Sequence, residues 1–365
     1  MTARSEALQL RQWAEASGVF SQGRSAGTQD LRDRLGAGEM FSASAELALT
    51  RKPITAIGFA APEKEEPKVF IYTRRKLTVA EMRSMKDSSP VKAKLEFRVA
   101  QPFSVTLPTS AAALPLNLRS NRITCGGSIS VGNNREAGTL GALLRDKDGT
   151  LYGLSCNHVT GGCSNARVGL PIVAPGILDI GAGLPDPRTI GQHARTLQFI
   201  PGDPSAITGY KANRDVAVFK ISDPNAHSSF QGSAYDTPAA VGDPEEDGSV
   251  QKVGRTTGHT LGIIESQLVG SQRIDYKMTA YHSAEENSSF QGSVFFEPVF
   301  IIRGTAGSFA AEGDSGALVV TRSVDEDPVA VGIVIGGDRA NDVTYMLPLK
   351  PVLDALRLEL VSEYN

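Results

Sequence analysis

Cysteine is scarce in this chain. Among 365 residues only Cys125, Cys156 and Cys163 occur, an odd trio without the paired spacings of a disulfide framework or a zinc site. This excludes a small stapled fold and points to a reducing compartment. An excess of basic charge is missing as well. Lys and Arg number 37 against 40 Asp and Glu, for a formal net charge of -3, which gives nucleic acid or an anionic membrane no basic face to bind. Only Arg74-Arg75-Lys76 is locally basic, and a solvated strand end accounts for it. No run of about 18 uncharged apolar residues occurs, and Met1-Thr2-Ala3-Arg4-Ser5-Glu6 leads into no apolar signal core. A cytoplasmic protein is expected, with no nucleic-acid and no membrane partner.

What the chain has in quantity is glycine and proline, 37 and 20 residues, a richness that favours many short strands and turns over long helices. Mainly β structure is expected, divided at this length into two or three units. Leu8, Leu10, Trp13 and Ala14 mark a short amphipathic helix, followed by a linker-like Ser21 to Gly27. From Pro53 to about Val105 the pattern reads strand (Ile54 to Phe59), strand (Lys68 to Thr73), helix (Val79 to Met85), strand (Lys94 to Val99), a small α/β unit. Pro108 to Asn121 is the candidate boundary. The expected organisation is an N-terminal helical and linker segment over 1–50, the α/β unit over 51–120 and a β-rich domain over 121–365. Within that last part Asp146-Lys147-Asp148-Gly149 separates two apolar runs as a hairpin turn would, and the many later runs suggest closed β-barrels. Pro351 to Leu358 is helical by its apolar spacing. Ser228 to Ser233 repeats as Ser288 to Ser293. Two similar loops are the plain reading, and a self-cleavage site at Gln231-Gly232 or Gln291-Gly292 is the sharper one.

Chemistry concentrates in three places. Gly313-Asp314-Ser315-Gly316 sets a serine between glycines immediately before an apolar strand, a way to present a hydroxyl beside free backbone N–H groups. A hydroxyl near neutral pH needs a base within hydrogen-bond reach and a group to orient that base. His158 follows the apolar run Leu151 to Leu154, and Asp215 precedes Val216-Ala217-Val218. Each of the three taken alone also reads as a turn, rim or cap residue; together, in the order His, Asp, Ser and each beside a β run, they suggest a catalytic trio. Cys156 stands two residues before His158, but one Cys-His pair without further ligands falls short of a metal set, so a buried thiol is expected. No metal and no cofactor are expected. Gly254 to Gly258 lacks the Gly-Lys-Ser/Thr ending of a phosphate loop.

Leu154-Ser155-Cys156-Asn157-His158-Val159, Asp215-Val216-Ala217-Val218 and Gly313-Asp314-Ser315-Gly316 resemble the three signature blocks of trypsin-like (chymotrypsin-clan) serine proteases. With Gly169-Leu170-Pro171-Ile172, Ala174-Pro175-Gly176, Asp179 and Gln251 to Gly258, the chain more narrowly resembles the bacterial and plant trypsin-like peptidases related to the narrow leaf protein of plants. The resemblance implies a double six-stranded β-barrel with a C-terminal helix, preceded by the small α/β unit, and a structural hairpin around Gly254 to Gly258. It implies a serine endopeptidase with Ser315 as nucleophile, His158 as general base and Asp215 as its orienting acid. The N–H groups of Gly313 and Ser315 would form the oxyanion hole. Counting back from Ser315 puts Phe309 at the base of the substrate pocket, with Glu312 near the oxyanion hole and Ile335, Gly336 and Gly337 on the far wall; with no acid at the base, Arg or Lys preference is not expected. No Ile-Val-Gly-Gly start is present to order Asp314, so something else is expected to hold it. The expected partner is a protein or peptide substrate, a neighbouring effector protein being one candidate. A catalytically inert or latent adaptor on the same fold, and an esterase or amidase, are the competing readings.

Overall fold

The computed structural model describes residues 2–21, 40–63, 65–105, 108, 110, 112, 117–181, 186–283, 285–323 and 327–365. Most of the expected Ser21 to Gly27 linker, and part of the Pro108 to Asn121 connection, lie outside them. Helix α1 (Ala3–Ala16) starts where the Thr2 hydroxyl accepts from Ser5 N–H and buries Leu10, Trp13 and Ala14; it forms because those apolar side chains recur on one face. Helix α2 (Ala43–Arg51) follows. Strands β1 (Ile54–Ala60) and β2 (Lys68–Thr73), helix α3 (Val79–Ser88) and strand β3 (Lys94–Val99) come in the expected order. Thr78 and Glu81 close α3 with a reciprocal capping box. The three helices cover one face of this sheet, where Leu10, Leu49, Ile57, Ile71 and Met85 form a common core.

The β-rich region opens with β4 (Leu118–Arg119), β5 (Arg122–Cys125), β6 (Ser128–Val131), β7 (Gly138–Thr139), β8 (Ala142–Arg145), β9 (Leu151–Ser155), β10 (Pro171–Ala174), β11 (Arg188–Thr196), β12 (Ala217–Ile221), β13 (His227–Gln231) and β14 (Tyr235–Asp236). The β8-β9 hairpin turns where expected: Asp146 Oδ1 accepts from the N–H of Asp148 and Thr150, and Gly149 takes a left-handed conformation at φ 85°. A second group follows: β15 (Ser249–Gly254), β16 (Gly258–Leu268), β17 (Gln272–Tyr281), β18 (Asn287–Phe296), β19 (Phe300–Gly304), β20 (Leu318–Thr321), β21 (Ala330–Asp338) and β22 (Val343–Pro348). Helix α4 (Lys350–Leu356) and strand β23 (Glu359–Leu360) end the chain.

The mainly β, double-barrel expectation holds. β15-β20-β21-β22-β19-β16 closes on itself through β15–β16 pairing, while β23-β8-β9-β12-β11-β10-β6-β7 is an open half-barrel. Two features lie outside that scheme. β1 pairs antiparallel with β16 at Gly58 and Leu268, so the α/β sheet runs on from the closed barrel. Strands β17 and β18 form a long hairpin of their own, inserted between β16 and β19. The repeated Ser-Ser-Phe-Gln-Gly-Ser segments correct the loop expectation: their leading residues are strand, in β13 and β18. Gln231 is buried, with its amide bonded to Gly141 O and Thr237 Oγ1, and Gln291 is paired with Lys277. Backbone committed to such a ladder is not presented for cleavage. Among the described residues no helix is long and apolar enough to cross a membrane.

Candidate active site

The register of the half-barrel brings two of the three expected residues together. Ala217 of β12 lies opposite Ser155 of β9, so Asp215, two residues before one, meets His158, three residues after the other. Asn157–Gly161 is a single wide turn ended by left-handed Gly162, and Asn157 closes it with side-chain bonds to Ser164 N and Oγ. His158 Nδ1 lies 2.6 Å from Asp215 Oδ2, and His158 N–H donates to Oδ1 at 3.0 Å. The aspartate is fully buried and the histidine is 4% exposed. Burial opposes a charge on His158, but the charge and hydrogen bond of Asp215, with a further pull from Glu136, raise its pKa above the ordinary imidazole value.

The backbone at Ser315 and Gly316 approaches the His158 segment from the closed barrel, and among the described residues the Ser315 hydroxyl makes no hydrogen bond to His158. The Ser315 carbonyl accepts from Thr139 N–H at 2.9 Å, and Gly316 N–H donates to Val334 O at 2.8 Å. Gly316 is pressed so tightly onto the His158 segment that a Cβ there would lie 2.5 Å from Ser155 Oγ and 3.3 Å from Cys156 N. Gly313 and Gly316 have φ of 96° and 97°, a region open to glycine. Among the described residues the N–H groups of Gly313 and Ser315 donate to no protein acceptor. That leaves two donors free beside the hydroxyl.

Asp314 is held from inside the molecule. Its carboxylate accepts from the N–H of Thr256, Thr257 and Ala311 and from Thr257 Oγ1. Lys252 Nζ lies 3.3 Å from its Oδ2, both side chains fully buried. Burial pulls the Lys252 pKa down, and the charge of Asp314 opposes that. All of these donors except Ala311 sit on the β15-β16 hairpin, in which Gly254 pairs with Gly258; the structural-hairpin expectation for this segment is met. Arg255 at its tip makes a two-pronged, fully buried pair with Asp179, and its side chain lies against Gly313, where a Cβ would come 2.6 Å from Nη1.

The substrate-pocket expectations need correction. Phe309 is fully buried in the closed barrel's core, its ring 5.8 Å from Lys252 Nζ, so it is no open pocket base. Its backbone is pinned there by Asp342 Oδ1. Ile335 is also fully buried. Gly336 is covered by Phe103, with which a Cβ would collide at 2.4 Å. Glu312 is exposed, and with Ser308, Gly337 and the residues Gln101 to Ser104 it borders a recess of about 590 Å³. A larger hollow of about 870 Å³ runs from Glu312 and Glu136 along β17. Glu136, 4% exposed, has an unpartnered Oε1; burial raises its carboxyl to about 7, against a lowering by His158.

Cys156, His158 and Asp215 place a thiol, an imidazole and a carboxylate within 4.8 Å of one another. The thiol donates to Val334 O, and burial pushes its pKa well above the ordinary value, so it is not a thiolate ligand. Three residues escaped the sequence reading. Lys252, Glu136 and Tyr276 are buried and polar at or near the trio; Lys252 and Tyr276 were detectable only as polar residues at inward positions of alternating strands.

No family profile matches the chain. Over 89 residues, 24% of its length, it is 35% identical to Protein NARROW LEAF 1 of Oryza sativa subsp. japonica, and the matched stretch spans 12% of that protein. Among solved structures it is similar to Thermobifida fusca protease A, at 18% identity and a TM-score of 0.41 over 66% of this chain and 98% of that one. It is also similar to a Nocardiopsis protease, at 18% identity and a TM-score of 0.38 over 64% and 95%. A third is the chymotrypsin of Cellulomonas bogoriensis, at 18% identity and a TM-score of 0.40 over 66% and 98%.

Proposed function

We propose that this protein is a serine endopeptidase that hydrolyses peptide bonds of a protein substrate through an acyl-enzyme. The observation that carries the reading is the buried His158-Asp215 pair at 2.6 Å, set beside a glycine-flanked serine. Ser315 Oγ attacks the scissile carbonyl while His158 Nε2 takes its proton; His158 then protonates the leaving amine, and water repeats the sequence to release the acyl group. Asp215 holds the imidazole with Nδ1 protonated, so that Nε2 faces the serine, and stabilises the imidazolium. The free N–H groups of Gly313 and Ser315 receive the negative charge that develops on the carbonyl oxygen, where loss of one donor typically costs about 10²–10³ in rate. Proteolysis in the cytoplasm, of a neighbouring effector among other substrates, fits the low cysteine content.

The test is labelling of the purified full chain with a fluorophosphonate probe. Wild type is expected to label, and Ser315→Ala and His158→Ala are not. Persistent labelling of Ser315→Ala would overturn the nucleophile, and an inert wild type would overturn the peptidase reading.

A further inference from the structure

The β17-β18 hairpin belongs to neither barrel, yet one of its side chains reaches the trio. Tyr276 Oη donates to Asp215 Oδ2 at 3.0 Å, the same oxygen that faces His158 Nδ1. Along β17 the residues Gln272, Ile274, Tyr276, Met278 and Ala280 alternate inward, and that period aims the phenol at the half-barrel. Its ring is 2% exposed and packs edge-on against Phe199 at 4.9 Å, with the His158 ring 5.8 Å away. Burial, then the charge of Asp215, drives the phenol pKa well above its usual value, so it remains protonated and acts as a donor.

The hairpin is also tied down on several sides. At its base Arg11 of α1 donates to the carbonyls of Val269 and Ser271. At its middle the segment that follows β3 pairs with it: Asp275 N–H donates to Phe103 O at 3.1 Å and Val105 N–H to Asp275 O at 2.8 Å. On the half-barrel side Gly202 N–H donates to Ser293 O, and near the tip Tyr281 N–H donates to Asn133 O. A strand fastened on both sides of residue 275 fixes the position of the next side chain to within a hydrogen-bond length.

From this geometry we infer that Tyr276 is a positioning residue that completes the hydrogen-bond set of Asp215, held in place by a hairpin to which α1 and residues Phe103 to Val105 are fastened. The inference rests on the peptidase reading only for its effect on rate. A phenylalanine would fill the same space, so the hydroxyl is the part under test. Without it the Asp215 carboxylate keeps more of its charge for the imidazolium, which raises the His158 pKa, and the imidazole loses part of its orientation.

Two readouts on the full chain separate the possibilities. Tyr276→Phe, with ¹⁵N-histidine resonances assigned by comparison with His158→Gln, is expected to raise the His158 pKa by about half to one unit. The same variant is expected to react with the fluorophosphonate about tenfold more slowly on its pH plateau, with the acid limb moved to higher pH and thermal unfolding little changed. A His158 titration and labelling profile equal to wild type would overturn the inference. So would a loss of labelling that merely follows a lowered unfolding temperature. If wild type is inert to the probe, the peptidase reading fails while the titration still decides the role of Tyr276.

Discussion

Replacing Lys252 by methionine leaves the Asp314 carboxylate buried with neutral donors only. At the observed 3.3 Å the direct attraction is about 5 kcal/mol at an effective dielectric constant near 20. Removing one partner of a buried pair typically costs about 3–5 kcal/mol, because the remaining charge has no counter-ion. Asp314 keeps the N–H groups of Thr256, Thr257 and Ala311 and the Thr257 hydroxyl, which places the expected loss at the lower end, about 3 kcal/mol. For a chain of this size that corresponds to a fall in unfolding temperature of about 4 °C. The functional loss should be larger than the stability loss suggests. Asp314 lies between the two free N–H groups, so a turn that relaxes around it misaims both, at a cost of about 10²–10³ in labelling rate. Differential scanning calorimetry and probe kinetics measure the two effects, and the double variant Lys252→Met with Asp314→Asn should recover part of the stability but not the rate. A Lys252→Met protein that unfolds and labels like wild type would refute the argument, since hydrogen bonds alone would then suffice.

Other outcomes follow from the same contacts. Gly316→Ala places a Cβ 2.4 Å from Thr139 O at a φ of 97°; it should cost about 1–3 kcal/mol and slow labelling about 10²-fold by shifting Ser315, as checked by denaturation and probe kinetics. Asp179→Asn leaves the buried Arg255 guanidinium without its counter-ion and should destabilise by about 3–5 kcal/mol, read by urea unfolding. Glu136 binds a proton more tightly folded, at about 7, than its ordinary 4.5, so the folded state holds more protons between those values. Stability from this group is therefore complete below about pH 4.5 and is lost as pH rises through 7. Glu136→Gln should match wild type near pH 4.5 and exceed it at pH 8 by up to on the order of 3 kcal/mol, in unfolding curves recorded at both values.

The amino-acid sequence by itself determined the mainly β class, the strand-strand-helix-strand order of the N-terminal unit, the Asp148-Gly149 hairpin and the proximity of each candidate residue to a β run. These are local properties: side-chain alternation, capping and turn chemistry act within a few residues, so spacing alone reveals them. Tertiary structure decided the rest. The inward face of β15 marks Lys252 as buried, but only closure of the barrel puts Asp314 opposite it. The separation of 61 positions between Asp215 and Tyr276 carries no periodic signal of their meeting, which depends on an inserted hairpin folding back across the half-barrel. Phe309 illustrates the converse: counting from Ser315 found its place along the chain, but it lies in the loop between β19 and β20, and its ring is turned into the barrel by contacts with distant residues, Asp342 on its N–H and Thr260 on its carbonyl. A residue's neighbours in sequence report its kind of environment, and its partners across the fold decide what it does there.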